Sequence, residues 1–143
     1  NFHSAMTITN STISGNFVSG SPDTNQGGGI HNLSGTLTIT NSTISGNSAT
    51  GDSNRGGGIF NGGGTINARN TIISGNFANS QADLRGSLSA ASQNNRVGDA
   101  ANVRLAPFGF YGGQTMTHAL LSGSNAINTG DNCVVTRTCT GFN

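Results

Sequence analysis

The 143-residue chain contains no lysine, no glutamate and no tryptophan, and only 8% of its residues are charged. The basic residues are six arginines scattered along the chain, so no basic stripe is present to neutralise the phosphates of a nucleic acid. No apolar run reaches the length that a membrane-spanning helix needs. The composition therefore argues against nucleic-acid binding and against a membrane span.

Apolar residues are also scarce, at 32% of the chain, whereas glycine supplies 23 residues. Low apolar content is typical of disorder when it comes with high net charge, but the net charge here is only +1. We therefore expect a thin structure with a narrow apolar core and many backbone hydrogen bonds. The chain begins at Asn1 rather than Met, and we expect a processed product or a fragment of a longer precursor.

What the chain does contain is an internal repeat. ITNSTISGN at 8–16 recurs at 39–47, 31 positions later, and ARNTIISGN follows at 68–76. A second motif, GGGIHN at 27–32, recurs as GGGIFN at 56–61. Self-similarity at a period of this size is typical of proteins that stack one structural unit on the next.

Each unit holds three short apolar segments, and the segment TLTIT at 36–40 alternates polar and apolar residues, as a strand with one buried face does. Three strands in a turn of about 22 residues, with variable loops between turns, predict a parallel β-helix. The predicted solenoid covers 1–103 in about four turns, and 104–143 is predicted to form an irregular closing segment. In the weaker fourth turn, the residues expected to face inward are Leu84, Leu88, Ala90 and Val97.

Stacked turns would place equivalent residues over one another. One predicted column is inward-facing and consists of Ile13, Ile44 and Ile73. Two further columns are predicted to form corners, in which the amides hydrogen-bond along the column and Asn adopts left-handed backbone: Asn10, Asn41 and Asn70, and Asn16, Asn47 and Asn76.

Two cysteines, Cys133 and Cys139, lie close together in the polar tail. The composition is typical of a secreted protein, so a disulfide is the favoured interpretation. Two free thiols in a reducing compartment are the alternative.

The residues give little support to an enzyme. Glycoside hydrolysis needs two facing carboxylates, and Asp23 and Asp52 share a repeat offset, but solvated loop positions are the simpler interpretation. His3, His31 and His118 are dispersed without metal-ligand spacing. His31 is expected to face outward, and His118 to pack in the closing segment. We therefore predict no catalytic residues, no metal site and no cofactor.

Threonines at alternate positions form a further pattern. Thr7 and Thr9 are expected to stack with Thr38 and Thr40 in a flat patch, as in some ice-binding proteins. In the third turn the equivalent residues are Asn67 and Arg69, which interrupt the array. Threonine is also an ordinary outward residue of strands, so ice binding is a minor alternative.

The two ends of a solenoid expose strand edges and need covering. The repeat starts almost at once, with Met6 and Ile8, whereas Phe108, Phe110 and Tyr111 leave the repeat pattern near the other end. We expect these aromatic rings to plug the core or to dock on a neighbour. Together the five residues are a candidate assembly surface for head-to-tail stacking of the chain with itself.

The motifs resemble those of known proteins. GGGI followed by ISGN resembles the repeats of polymorphic outer-membrane and adhesin-like β-helix proteins, with isoleucine in place of their phenylalanine. The stretch GGQTMTHALLSGSNAI at 112–127 resembles the segment that closes the β-helix of bacterial choice-of-anchor surface proteins. The resemblance implies a right-handed β-helix, export and a position at the bacterial cell surface, and it implies no reaction.

The leading hypothesis is a non-enzymatic extracellular structural protein, either an adhesin or stalk segment or a self-assembling fibre subunit. Its expected partners are other copies of itself and surface glycans. The alternative is a β-helix that binds carbohydrate or degrades polysaccharide.

Overall fold

The computed structural model describes residues 1–20, 25–51 and 53–131. Its regular structure there is almost entirely β, so the all-β prediction is confirmed. In chain order the strands are β1 (Ala5–Thr9), β2 (Thr12–Ser14), β3 (Phe17–Ser19), β4 (Ile30–Asn32), β5 (Thr36–Thr40), β6 (Thr43–Ser45), β7 (Ser48–Thr50), β8 (Ile59–Asn61), β9 (Thr65–Arg69), β10 (Ile72–Ile73), β11 (Leu84–Arg85) and β12 (Arg96–Val97). One helical turn, α1 (Ala100–Val103), follows them.

The strands form parallel sheets in which each strand pairs with its equivalent in the next repeat. The sheet orders are β1-β5-β9, β2-β6-β10-β12, β4-β8-β11 and β3-β7. We number the repeats first (5–19), second (30–50), third (59–77) and fourth (84–97). Residues that share a motif position are register partners, so Ile44 pairs with Ile13 on one side and with Ile73 on the other. The predicted isoleucine column is therefore present.

The core is a narrow cluster of inward-facing aliphatic side chains from these sheets. Ile44 and Ile73 are fully buried, whereas Ile13 is partly buried because β2 is the edge strand of its sheet. The buried cluster comprises Ile8, Ile30, Leu37, Ile39, Ile44, Ile59, Ile66, Ala68 and Ile73. This small set agrees with the low apolar content of the sequence.

Sharp corners separate consecutive strands. The asparagines of one predicted column, Asn10, Asn41 and Asn70, all adopt left-handed backbone with φ of 49°, 49° and 50°. In the second column the left-handed residue is the preceding glycine instead, as at Gly46 with φ of 69°. The prediction of left-handed asparagine is thus correct for the first column and wrong for the second, where glycine adopts this conformation without steric cost.

The glycines of the GGGI motifs allow the backbone of the neighbouring repeat segment to approach closely. A Cβ at Gly57 would collide with the carbonyl oxygen of Phe77. A Cβ at Gly58 would lie 2.7 Å from the side-chain nitrogen of Asn76. The two motifs are therefore linked in space, because glycine in one leaves room for asparagine in the other.

The fourth repeat differs from its prediction. Leu84 pairs with Ile59, and Leu88 packs against the core as expected. Ala90 is exposed, however. The backbone N–H that donates to the carbonyl of Ala68 belongs to Gln93 and not to a residue next to Ala90. Val97 pairs with Ile73 but stays largely exposed, since β12 is the last strand of its sheet. Inward placement of Ala90 was a wrong expectation, whereas Val97 takes the register position of Ile73 as expected.

The chain after α1 doubles back on itself. Leu105 pairs with Leu120 and Gly109 pairs with Thr117 in antiparallel bridges, and we call residues 105–120 the hairpin. It lies along the sheet of β2, β6, β10 and β12 rather than over one end of the core. The predicted Cys133–Cys139 disulfide lies outside the described residues.

Candidate functional site

The most regular polar feature is a hydrogen-bonded column formed by Asn16, Asn47, Asn76 and Asp83. The backbone N–H and side-chain Nδ2 of Asn16 both donate to Oδ1 of Asn47, at 3.1 and 3.0 Å. Asn47 donates in the same way to Asn76, at 3.0 and 2.9 Å. Asn76 donates to Oδ1 of Asp83, at 2.9 and 2.8 Å. A carboxylate accepts and does not donate, so Asp83 is a chemically suitable last member.

The same amides also reach back toward the preceding repeat. Nδ2 of Asn47 donates to the carbonyl of Ile13 at 2.9 Å, and Nδ2 of Asn76 donates to that of Ile44 at 3.0 Å. Asn47 is only 1% exposed. Because buried amides need partners, the column fixes three consecutive repeats relative to one another.

The other predicted column is less complete. Nδ2 of Asn70 donates to Oδ1 of Asn41 at 3.1 Å, and the backbone N–H of Asp131 donates to Oδ1 of Asn70 at 2.7 Å. Asn10 continues the row but is exposed. In this column the Asn70 side chain has hydrogen-bond partners on both sides, whereas Asn10 at the other end is exposed to solvent.

Two asparagine pairs were missed by the sequence analysis. Nδ2 of Asn32, which is fully buried, donates to Oδ1 of Asn61 at 2.9 Å. Oδ1 of the equally buried Asn54 accepts the backbone N–H of Asn25 at 3.2 Å. Both pairs are identical residues at equivalent positions around the GGGI motif, and that identity was the available signal.

The hairpin is attached to the first repeat by side-chain hydrogen bonds. The hydroxyls of Thr12 and Thr117 lie 2.9 Å apart, and Nε2 of His118 lies 2.9 Å from Oγ of Ser14. Nδ1 of His118 lies 2.8 Å from the carbonyl oxygen of Ala106 and must donate to it. In the neutral ring Nε2 is therefore the acceptor of the Ser14 hydroxyl. The expectation that His118 packs in the closing segment agrees with this geometry.

Two recesses lie between the hairpin and the sheet. One, of about 310 Å³, is lined by Ser45, Ser74, Leu105, Pro107 and His118, among others. The other is an open groove of about 580 Å³ near the free end of the Asn10 column. Both exist because the hairpin crosses the sheet from the fourth repeat to the first.

The predicted assembly residues differ in exposure. Ile8 is 8% exposed and belongs to the core, whereas Met6 is partly exposed on the edge strand β1. Phe110 is 68% exposed, and the ring centroid of Phe108 lies 5.3 Å from that of His118 on the flank of the sheet. Tyr111 donates its hydroxyl to the carbonyl of Pro107. The aromatic residues do not plug the core.

The predicted threonine patch lies on the sheet of β1, β5 and β9. Thr7 pairs with Thr38 and Thr9 with Thr40, as expected, and Asn67 and Arg69 follow in the third repeat. Arg69 is buried.

His31 is exposed, and its ring centroid lies 5.0 Å from that of Phe60 in an edge-to-face contact. Partial burial lowers the pKa of His31, and the nearby N-terminal ammonium group lowers it further.

The candidate carboxylates Asp23 and Asp52 lie outside the described residues. Within 1–20, 25–51 and 53–131, no three or more histidine, cysteine, aspartate or glutamate residues are grouped so that they could hold a metal ion. In the same ranges no helix has the length and apolar character of a membrane span.

No protein-family model, no curated protein and no solved structure matches this chain.

Proposed function

We propose that the chain is a right-handed parallel β-helix that serves as a non-enzymatic structural segment of a bacterial surface protein. The observation that carries this proposal is the register, in which equivalent strands of successive repeats pair in parallel in every sheet. Connections between parallel strands of one sheet are almost always right-handed, which supports the stated hand.

The asparagine column supports a mechanical role. It adds side-chain hydrogen bonds to the backbone ladder in the direction in which the repeats stack, from Asn16 to Asp83. Each repeat then contacts its neighbours through backbone, apolar and amide interactions, so opening one repeat also breaks its interfaces with the repeats beside it. A stiff spacer of an adhesin or stalk, or a subunit stacked head to tail in a fibre, would need this property.

Electron microscopy and sedimentation velocity of the purified chain test the two forms of the proposal. Concentration-dependent filaments would support the fibre subunit, in which the edge strands β1 and β2 pair with another copy. Monodisperse monomers at high concentration would instead support a segment of a longer protein. Assemblies that leave the edge strands β1 and β2 unpaired would contradict the fibre form.

Surface labelling tests the proposed location. Antibodies against the purified chain should label intact cells of the source bacterium before permeabilisation. Labelling that needs permeabilised cells would overturn the proposal of an extracellular protein, whichever assembly state the microscopy shows.

A further inference from the structure

The groove of about 580 Å³ between the hairpin and the sheet has the size of a small-molecule site. We call it the hairpin groove. Asn10 and Asn41 at the corner and Thr12 and Thr43 on strands β2 and β6 line one wall, and Thr115 and Met116 of the hairpin line the other. Its two walls are thus supplied by the repeats and by the segment that leaves the repeat pattern.

The chemistry of the lining selects for a neutral polar ligand. Amide and hydroxyl side chains can each donate and accept hydrogen bonds, and none of the six residues named above carries a charge. Met116 is 39% exposed and adds an apolar contact surface. Sugars combine many hydroxyl groups with apolar C–H faces, so this lining matches an uncharged saccharide, and it offers no opposite charge to attract an ionic one.

The groove also contains side-chain amides that can form hydrogen bonds with a ligand. Oδ1 of Asn41 accepts a bond from Asn70, whereas the side-chain amide of Asn10 bonds no other residue that the structure describes. The left-handed backbone of Asn10, with φ of 49°, holds this amide on a fixed corner. The bond between Thr12 and Thr117 and the bond between Ser14 and His118 fasten the opposite wall. The site is therefore preorganised, which reduces the entropy lost on binding.

The hydroxyl and amide groups that line the groove recur at the spacing of the strands. Thr12 and Thr43 are register partners, so their outward side chains follow each other at about 4.8 Å. Asn10 and Asn41 occupy equivalent corners one repeat apart. One pyranose unit of an extended saccharide has a similar length, so successive sugar units running across β2 and β6 would meet equivalent groups.

We propose that the hairpin groove binds a neutral oligosaccharide that lies across strands β2 and β6. This inference goes beyond the proposed scaffold function, which would stand without it. The ligand class follows from the uncharged lining, and the direction of the chain follows from the repeat of that lining along the stack.

An array of neutral and acidic oligosaccharides, followed by titration of the best binder into isotopically labelled protein, tests this proposal. We expect a neutral oligosaccharide to bind and to shift the amide resonances of Thr43 and Thr115. Thr43→Tyr should fill the groove and weaken binding by at least about tenfold. The matched control is Thr38→Tyr, on the outward face of the central strand β5, which should bind as the unmodified chain does.

A second pair of variants covers the case in which Thr43→Tyr fails to fold. Asn10→Gly removes the corner amide but keeps the left-handed backbone, and it should weaken binding severalfold. Asn94→Gly makes the same change at an exposed left-handed asparagine away from the groove, and it should leave binding unchanged. Absence of any neutral binder, preference for acidic saccharides, or equal loss in both members of a pair would overturn the proposal. A normal thermal transition in these variants would show that the fold itself is intact.

Discussion

Oδ1 of Asn76 accepts two hydrogen bonds from Asn47, one from its backbone N–H at 3.0 Å and one from its side-chain amide at 2.9 Å. The same doubled bond joins Asn16 to Asn47 and Asn76 to Asp83. Each internal member is therefore both a double donor and a double acceptor, and the column has a direction. That direction makes the effect of removing one member depend on its position.

Replacement of Asn47 by alanine should destabilise the protein by about 2–3 kcal/mol, because it leaves buried donors and acceptors without partners. Asn16→Ala is the matched control at the exposed end of the column and should cost less than about 1 kcal/mol. Urea unfolding followed by circular dichroism measures both values. Equal losses in the two variants would show that the column does not act as a connected unit.

Asp83 should act as an acceptor rather than as a charge. Asp83→Ala removes the oxygen that receives both bonds from Asn76, and the expected loss of stability is about 1.5–3 kcal/mol. Asp83→Asn retains an oxygen at that position and should lose less than about 1 kcal/mol. The same unfolding measurement applies. A loss in Asp83→Asn as large as that in Asp83→Ala would instead point to the negative charge.

The third glycine of each GGGI motif, Gly29 or Gly58, should be needed for the neighbouring column of Asn16, Asn47, Asn76 and Asp83. In Gly58→Ala, the new methyl group would meet the Asn76 amide at 2.7 Å and the carbonyl oxygen of Asp83. Such overpacking costs about 1–3 kcal/mol. In Gly63→Ala the nearest atom is at 3.5 Å, so stability should change by less than about 0.5 kcal/mol. A Gly58→Ala variant with unchanged thermal stability would contradict the close packing of the two motifs.

Much of this architecture could be predicted from the repeat alone. Exact repetition of ITNSTISGN predicted the register of Ile13 with Ile44, since equivalent residues of stacked units must pair. The asparagine column was predictable for the same reason. Prediction failed where the repetition decays, as at Ala90. Arg69 bridges to Gln93, so Ser92 lies opposite Ala68, and Ala90 lies in the turn closed by the hydrogen bond from Ser92 to Ser89.

The candidate site could be predicted less well. The contact of Thr117 and His118 with Thr12 and Ser14 joins residues more than a hundred positions apart, and no periodic signal connects them. Aromatic content near the chain's end suggested a plug for the core, whereas the segment instead follows the outer face of a sheet. The bond between Asn32 and Asn61 was not predicted, because each is a single polar residue beside an inward isoleucine and only its recurrence at the same motif position indicates a stacked pair.

His31 should make stability depend on pH. Burial against Phe60 and the nearby ammonium group lower the pKa of His31 below its usual 6.5, so the unfolded chain binds more protons just below that pH. The contribution of His31 is therefore favourable above pH 6.5, and it falls as the pH drops through 6.5 toward the lower pKa of the folded state. Urea midpoints between pH 5 and 8 should show this fall, which His31→Phe, the residue of the next repeat, should reduce. An unchanged profile in His31→Phe would contradict the prediction.

The His118 side chain should hold the hairpin against the first repeat. His118→Ala removes the bond to Ser14 and the bond to the carbonyl of Ala106. We expect hydrogen exchange of the Thr117 amide, which donates to Gly109 across the hairpin, to quicken by about tenfold or more. The amide of Ile72, which donates to Ser42 between repeats, should keep its protection and serves as the internal reference.

Ser14→Ala separates the two bonds of His118. It removes the link to β2 but leaves the bond to Ala106 inside the hairpin, so exchange at Thr117 should quicken less than in His118→Ala. If the imidazole only completes the hairpin, Ser14→Ala will leave exchange unchanged and the attachment to the first repeat will have to come from Thr12 and Thr117. If exchange at Ile72 rises together with that at Thr117, the hairpin and the repeats open as one cooperative unit, and a separately detachable hairpin is excluded.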